Sequence, residues 1–182
     1  MKLAELPFNP MTVAADFWVD GAFTDKTEND ETATMSCYFN KADGNLYIFN
    51  VNGVRKELYE YLAFFKPFVK ANYYSPSSVV YVELKASGEP IKSMLRKVEF
   101  GGFNVQGINS KVVGLGKYNR VENSEPFLAS GKVILVEGSW NADFLDQCAS
   151  FPNGVHDDKV DVLTYSIHKY FIKKSASGVS YE

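Results

Sequence analysis

The 182-residue sequence has little of what several classes of protein require. It contains only two cysteines, Cys37 and Cys148, which are far apart and lack a CxxC spacing. This excludes a disulfide framework and a cysteine-based zinc site, and it predicts buried thiols in a reducing compartment. There is no run of about 18 apolar residues and no basic-then-apolar leader, so we expect neither a membrane span nor a secretory signal.

A phosphate-binding loop of the GxxxxGK[ST] type is also missing. The nearest string, Gly114-Leu115-Gly116-Lys117, lacks the first glycine at the required spacing. It also has Tyr118 where a serine or threonine would bind magnesium. We therefore expect that this chain does not hydrolyse ATP.

The composition that remains is that of one globular domain. Apolar residues make up 46% and charged residues 23%, which suits a single domain with a substantial core. The net charge is −3, but residues 85–132 carry eight Lys/Arg against four Asp/Glu. A basic centre between acidic segments is compatible with a phosphate-binding surface beside a metal cluster, and also with an uneven scatter of surface charge.

Hydrophobic periodicity predicts an α/β domain with a mixed sheet. The first three strands form an antiparallel meander, whose second hairpin turns at residues 41–44. A strand pair around a tight turn at residues 130–131 is also predicted. The predicted strands are Thr12–Val19, Thr32–Asn40, Asn45–Val51, Ser78–Val82, Phe103–Ile108, Phe127–Ala129 and Lys132–Glu137. The predicted helices are Arg55–Ala71, which Pro67 should kink or shorten, Glu89–Val98, Trp140–Ser150 and Asp158–Lys173, with a loop or short helix in Lys111–Glu125.

The most informative stretch is the acidic run around His156, Asp157, Asp158 and Asp161, where a Pro/Gly turn gives way to the last helix. Crowded carboxylates need a neutralising cation, and hard oxygen ligands suit Mg²⁺ or Mn²⁺. The alternative is an acidic N-cap, since aspartate is favoured in the first turn of any helix.

Two other carboxylates also lie at element ends: Asp20 closes the first strand and Glu83 the fourth. If these strands are neighbours and the last helix packs across them, the carboxylates converge at one sheet edge. Such a trio can hold two divalent ions about 3.5–4 Å apart, as in phosphodiester displacement. For Glu83 the alternative is an ion pair with Lys85.

The order of three blocks resembles the nuclease domain of viral terminase large subunits, the DNA-packaging motors of tailed bacteriophages with relatives in herpesviruses. The first two blocks are VDGAFTDKTENDETA and VVYVELKASGEPIKSMLR. The third, the most specific, contains Lys117, Arg120, Pro126, Trp140, Phe151-Pro152 and His156-Asp157-Asp158-x-x-Asp161 in the family's order. The resemblance runs from about Val13 to Ile167.

This resemblance implies a ribonuclease-H-like fold and a two-metal endonuclease, using Mg²⁺ or Mn²⁺, that cuts concatemeric viral DNA. It implies Asp20 and Glu83 as metal ligands and catalytic residues. The third ligand lies within Asp157-Asp158, with Asp158 preferred, and Asp161 is a further candidate one helical turn along.

The resemblance also matches Asp30 to an accessory acidic position, although a turn or N-cap aspartate explains it equally well. His156 is a second accessory candidate, to orient an attacking water, or else a turn histidine. For phosphate contacts with DNA we single out Lys85, Lys111, Lys117 and Arg120, although lysines on helix surfaces commonly have no partner.

The implied partners are double-stranded viral DNA, a terminase ATPase domain absent from this chain, the small terminase subunit and the portal, in the host cell cytoplasm. We expect an isolated carboxyl-terminal domain: a linker at 1–11, the nuclease domain at 12–174 and a frayed tail at 175–182. A naturally split nuclease remains an alternative. Two other functions stay open: a Holliday-junction resolvase of the same fold, and a nuclease-dead domain that docks the motor to the portal or DNA.

Overall fold

The computed structural model describes residues 1–21, 31–84, 88–97 and 101–172. Six strands form one mixed sheet in the order β5-β4-β1-β2-β3-β6. β1 to β3 are an antiparallel meander, whereas β4 runs parallel to β1, β5 to β4, and β6 to β3. The strands are β1 Asp16–Asp20, β2 Thr32–Asn40, β3 Asn45–Val54, β4 Val80–Val82, β5 Val105–Gly107 and β6 Val133–Leu135.

Helices cover both faces of this sheet. They are α1 Leu58–Ala71, α2 Gly88–Leu95, α3 Ser110–Val113, α4 Lys117–Ala129, α5 Asn141–Ser150 and α6 Asp158–Ile167, which continues as a π-helical turn over His168–Ile172. One core contains Phe17 and Val19 of β1 with the buried side of α1. The other contains Trp18 of β1 with Val162 and Tyr165 of α6. Alternate residues of β1 therefore face opposite cores, as strand geometry requires.

α6 is the most deeply placed helix, because every residue from 159 to 167 is buried. It packs against β1 and β2. A helix that is buried on all sides is typical of a large core. No helix in the described ranges is long and apolar enough to cross a membrane.

Most predicted elements are present with shifted ends, and the mixed α/β sheet with its meander is confirmed. β2 has the predicted bounds. β1 begins at Asp16 and not at Thr12, because Pro10–Thr12 forms a 3₁₀ turn in which the Asn9 side chain accepts a hydrogen bond from the Met11 N–H at 3.0 Å. α1 continues through Pro67 to Ala71.

Two predictions about the middle of the chain are wrong. Phe127–Ala129 is the last turn of α4 and not a strand, since a three-residue apolar run does not distinguish the two. The predicted loop or short helix at Lys111–Glu125 is instead two helices, α3 and α4.

The first residues, expected to be a tether, pack against the domain. The Phe8 ring meets the rings of Tyr38 and Tyr47 edge-on, with centroids 5.0 and 4.9 Å away. The amino terminus of Met1 donates to the Leu135 carbonyl at 3.0 Å. A linker role for this segment stays a prediction.

Candidate metal centre

Two parallel strands end side by side at one edge of the sheet. Val19 of β1 pairs with Val82 of β4, so the next residues, Asp20 and Glu83, follow at the same edge. The Glu83 N–H donates to the Val19 carbonyl at 3.1 Å, which extends the pairing by one step. The first and fourth strands are therefore neighbours, which is the condition that the predicted convergence required. The two carboxyl groups lie within hydrogen-bonding distance of each other.

α6 brings further carboxylates to the same place. Burial raises the pKa of Asp20 well above its usual value, and the next causes are the charge and hydrogen bond of Glu83 and the charges of Asp161 and Asp158. Glu83 and Asp161 are 8% and 5% exposed, so this crowding is largely shielded from water. Three separate elements therefore supply one cluster of four carboxylates, which we call the acidic cluster: Asp20, Glu83, Asp158 and Asp161.

Asp158, the first residue of α6, is only partly buried. Its pKa is raised to about 6, chiefly by burial. Lys117 lowers the pKa of this carboxyl, whereas Asp157, Asp161 and Glu31 raise it. A divalent cation bound beside Asp158 would therefore lower the pKa of this carboxyl strongly, because an opposite charge favours the ionised form.

Two basic side chains of α4 neutralise Asp161 from inside the protein. Lys117 Nζ lies 2.7 Å from Asp161 Oδ2, and the Arg120 guanidinium pairs with Oδ1. Arg120 is 2% exposed, donates to the Val113 carbonyl at 3.2 Å, and lies over the Tyr165 ring at 4.5 Å. Arg120 is thus an internal counter-charge, and this position does not fit its interpretation as a surface contact for DNA.

Asp157 occupies the N-cap position of α6, but its side chain makes no capping hydrogen bond. Its Oδ1 lies 2.5 Å from Lys117 Nζ instead. The ammonium of Lys117 therefore joins Asp157 to Asp161 and is also engaged within the protein. Burial acts to lower the pKa of Lys117, but these carboxylates together raise it, so the side chain stays cationic.

The other candidates lie elsewhere or outside the described residues. His156 Nε2 is 2.7 Å from the Arg55 guanidinium at an exposed position. Lys111 is exposed at the start of α3. Asp30 and Lys85 fall outside the described residues.

Sequence reasoning missed a second set of ion pairs on α6, in which the buried Lys159 meets Glu31 and the exposed side chain of Asp143. Lys159 is 2% exposed, and its Nζ pairs with Asp143 of α5 and lies 3.7 Å from Glu31 Oε2. A Cβ on Gly53 would lie too close to the Glu31 carboxylate and 2.9 Å from Lys159 Cε, so a larger residue there would have to displace the end of the Glu31 side chain. Glu31 stands in the quoted NDETA string, one residue after Asp30, which was the only available signal.

The donor set of the acidic cluster suits a hard divalent cation, because every donor is a carboxylate oxygen. As the side chains lie, no three His, Cys, Asp or Glu residues in the described ranges are arranged to hold an ion. A divalent ion would compete with protonation of Asp20, whose pKa is raised by burial and by Glu83.

The fold is similar to that of solved terminase nucleases. One is the large terminase nuclease domain of bacteriophage SPP1 with bound Mn, at 15% identity, with 93% of this chain and 94% of that chain covered and a TM-score of 0.59. A second is the human cytomegalovirus terminase nuclease domain, at 12% identity, 89% and 86% coverage and a TM-score of 0.62. A third is the large terminase nuclease of the thermophilic phage G20c, at 14% identity, 86% and 82% coverage and a TM-score of 0.57.

These likenesses confirm the expected ribonuclease-H-like fold. No curated protein sequence matches the chain. The family model described as the terminase RNaseH-like domain matches residues 69–170, which is more than half of the sequence and includes β4, α4 and α6. On this match, the chain belongs to the terminase RNaseH-like nuclease domain family.

Proposed function

We propose that this chain is a metal-dependent DNA endonuclease that cuts concatemeric viral DNA during packaging. The observation that carries the proposal is the convergence of Asp20, Glu83 and Asp158 from β1, β4 and α6, with the pKa of Asp20 and of Asp158 raised by burial and by neighbouring carboxylates. Perturbed carboxyl groups of this kind cluster at functional sites. The Mn-bound SPP1 nuclease, which has the same fold, gives independent support.

In this proposal Asp20, Glu83 and Asp158 hold two divalent ions, Mg²⁺ or Mn²⁺. The ions would supply an activated water and offset charge on the leaving oxygen. Asp157 and Asp161 are already neutralised by Lys117, and Asp161 also by Arg120. Their role is to hold α4 against the start of α6 and so to fix Asp158, whereas His156 and Asp30 remain accessory candidates.

The remaining partners are inferred from family membership. The chain would act on double-stranded viral DNA in the host cytoplasm, together with a terminase ATPase domain, a small terminase subunit and a portal. This sequence contains no phosphate-binding loop, so the ATP hydrolysis that drives packaging would come from the terminase ATPase domain.

The test is cleavage of supercoiled plasmid with Mn²⁺ or Mg²⁺. We expect nicked and linear products from the unchanged protein and none from Asp20→Ala or Glu83→Ala, with melting curves that show a retained fold. Glu60→Ala is the matched control, because Glu60 is exposed on α1, across the sheet from the acidic cluster. Full cleavage by either cluster variant would contradict the proposed site.

A second arm of this experiment compares substrates. Linear duplex and a four-way junction of the same arms are incubated separately with Mn²⁺. Marked preference for the junction would favour a resolvase. If cleavage is absent and neither Mn²⁺ nor Ca²⁺ changes the melting temperature, the chain is a docking domain.

A further inference from the structure

A cavity of about 880 Å³ lies beside the acidic cluster on the same face of the sheet. Its floor contains Trp18 of β1 and Tyr81 of β4, whose rings stack with centroids 4.4 Å apart. Trp18 precedes Asp20 by two positions, and Tyr81 precedes Glu83 by two. Because side chains alternate along a strand, each aromatic ring and its carboxylate share a face and are separated by about 6.6 Å along the strand. The cavity and the acidic cluster are therefore adjacent parts of one surface.

Three buried polar atoms of residues that line this cavity have no hydrogen-bond partner among the described residues: Trp18 Nε1, Tyr165 Oη and His168 Nε2. The three residues are 1%, 1% and 4% exposed. Buried polar atoms in folded proteins are nearly always hydrogen-bonded, so a group of this kind beside a cavity indicates a missing ligand. The cavity volume is within the range of small-molecule sites.

Of these atoms, Tyr165 Oη and His168 Nε2 offer complementary hydrogen-bonding roles. Burial and the nearby charges of Asp161, Asp20 and Glu83 raise the pKa of Tyr165, so its hydroxyl keeps its proton and can donate. Burial lowers the pKa of His168, against the effect of a hydrogen bond to the Arg120 backbone. Because Nε2 has no partner, that bond falls to the N–H of the other ring nitrogen, and neutral His168 keeps Nε2 as an acceptor.

The charged and polar side chains that line the cavity indicate the class of ligand that fits it. Lys111 and Lys169 contribute to it, as do the amides of Gln106, Asn109 and Asn123, whereas none of the described lining residues is acidic. An aromatic floor, one donor, one acceptor and lysines together suit a planar heterocycle that carries a phosphate. A nucleotide has these features, because each DNA base presents a donor and an acceptor on its pairing edge.

We propose that this cavity binds a single unstacked nucleotide of DNA, next to the position where the acidic cluster would cut. Tyr165 and His168 bind the edge of the base, Trp18 and Tyr81 form the apolar floor, and Lys111 lies near the phosphate. This inference rests on the proposed nuclease function for its biological setting. Unstacking a paired base costs a few kcal/mol, so a strand end or a bulged base would bind best.

The test is a titration of the ¹³C-methyl-labelled protein with dTMP in EDTA, followed by NMR. We expect shifts of the cavity methyl groups of Ile108, Val112 and Leu115, and none for Leu62 and Val69, which belong to the buried side of α1 on the other face of the sheet. Thymidine should bind more weakly than dTMP, and inorganic phosphate should leave the cavity methyl groups unchanged. The proposal is overturned if dTMP shifts no cavity methyl group, or if indole shifts them at lower concentration than dTMP.

Variants then separate specific binding from filling of an apolar hole. Tyr165→Phe should raise the Kd for dTMP about fivefold, the effect of one lost hydrogen bond. Leu115→Trp should abolish the dTMP shifts, because Leu115 lines the cavity and is 40% exposed, so the larger ring can be accommodated there. Tyr47→Phe is the control, since it removes a hydroxyl that donates to Asp43 on the remote side of the sheet, and it should leave the Kd unchanged. An unchanged Kd in Tyr165→Phe would overturn the assigned base contact.

Because the titration contains no metal, its failure is distinct from failure of the proposed function. A protein that cuts plasmid but shows no dTMP shifts keeps the nuclease and loses the nucleotide site. Cavity shifts in a protein that cuts no DNA keep the nucleotide site and overturn the nuclease.

Discussion

Asp20 and Glu83 share a side-chain hydrogen bond across the ends of two parallel strands, although both are carboxylic acids. One of them must supply the proton, because an ionised carboxylate has no donor. Burial and the charge of Glu83 raise the pKa of Asp20 accordingly. Both effects favour a proton or a metal ion between these two carboxyl groups, which is where the proposed function needs a cation.

The first prediction concerns Asp20→Asn. The amide donates permanently to Glu83 and removes one negative charge from the acidic cluster, so the melting temperature in EDTA should stay the same or rise. The increase in melting temperature that Mn²⁺ causes should be lost. Cleavage should fall more than about 100-fold, which exceeds the usual effect of changing a residue that only supports a metal ligand. Thermal melts with and without Mn²⁺ measure this; a large destabilisation in EDTA would contradict it.

The second prediction concerns Lys117→Ala. Lys117 lowers the pKa of Asp158, which is about 6, so its removal should raise that pKa further. A carboxyl group with a higher pKa stays protonated up to a higher pH, and it binds metal only once it has lost that proton. The acid limb of the pH dependence of Mn²⁺ binding should therefore move to higher pH, whereas Lys117→Arg should leave it near its original position. Calorimetric titrations between pH 5 and pH 8 are the measurement, and a shift towards lower pH would refute the expected role.

Arg120→Met is the subject of the third prediction. Of the two basic side chains paired with the buried Asp161, it leaves only Lys117. The free energy of unfolding should therefore fall by about 3 kcal/mol. Adding Asp161→Asn should recover part of that loss, because the uncompensated charge is then gone. Arg55→Met, at an exposed position, is the control and should change stability by less than about 0.5 kcal/mol. Denaturant unfolding curves measure these free energies. Equal losses of stability in Arg120→Met and Arg55→Met would contradict the prediction.

The fourth prediction concerns Gly53→Ala. The new Cβ must displace the end of the Glu31 side chain, and with it the contact to Lys159, so we expect a loss of about 1 kcal/mol in stability, the low end of the range for overpacking. Glu31→Ala in the same chain should restore most of it relative to Glu31→Ala alone, since the overlapping carboxylate is removed. Urea unfolding of the four proteins completes the cycle. No recovery in the double variant would mean that Glu31 is not the obstacle.

The fifth prediction is a pH dependence that His168 causes. Its pKa is lowered by burial, so the unfolded chain takes up a proton at higher pH than the folded one. The stabilising contribution is therefore complete above the unfolded pKa of about 6.5 and is lost as the pH falls through the folded value. His168→Gln should flatten the dependence of unfolding free energy on pH below about 6.5. Unfolding curves at several pH values measure it, and parallel profiles for both proteins would exclude this cause.

The local pattern was sufficient for the elements whose signal lies within a few residues. β2 and β3 are strand-like segments on either side of the turn at residues 41–44, so their pairing followed from the sequence. The positions of Asp20 and Glu83 at strand ends were also predictable, since each follows an apolar strand, whereas their convergence depended on the pairing of β1 with β4. The last turn of α4 at Phe127–Ala129 was not, because three apolar residues fit a helix and a strand equally well.

The sequence by itself determined the α/β class, the positions of Asp20 and Glu83 at strand ends, and the concentration of acid at the start of α6. Only the tertiary structure decided which carboxyl groups lie close enough to raise one another's pKa and which are paired with a basic side chain. Asp157 and Asp161 have Lys117 as a partner 40 or more residues away, and Arg120 is buried against Asp161. Spacing along the chain cannot reveal such pairs, because the packing of α4 against α6 creates them.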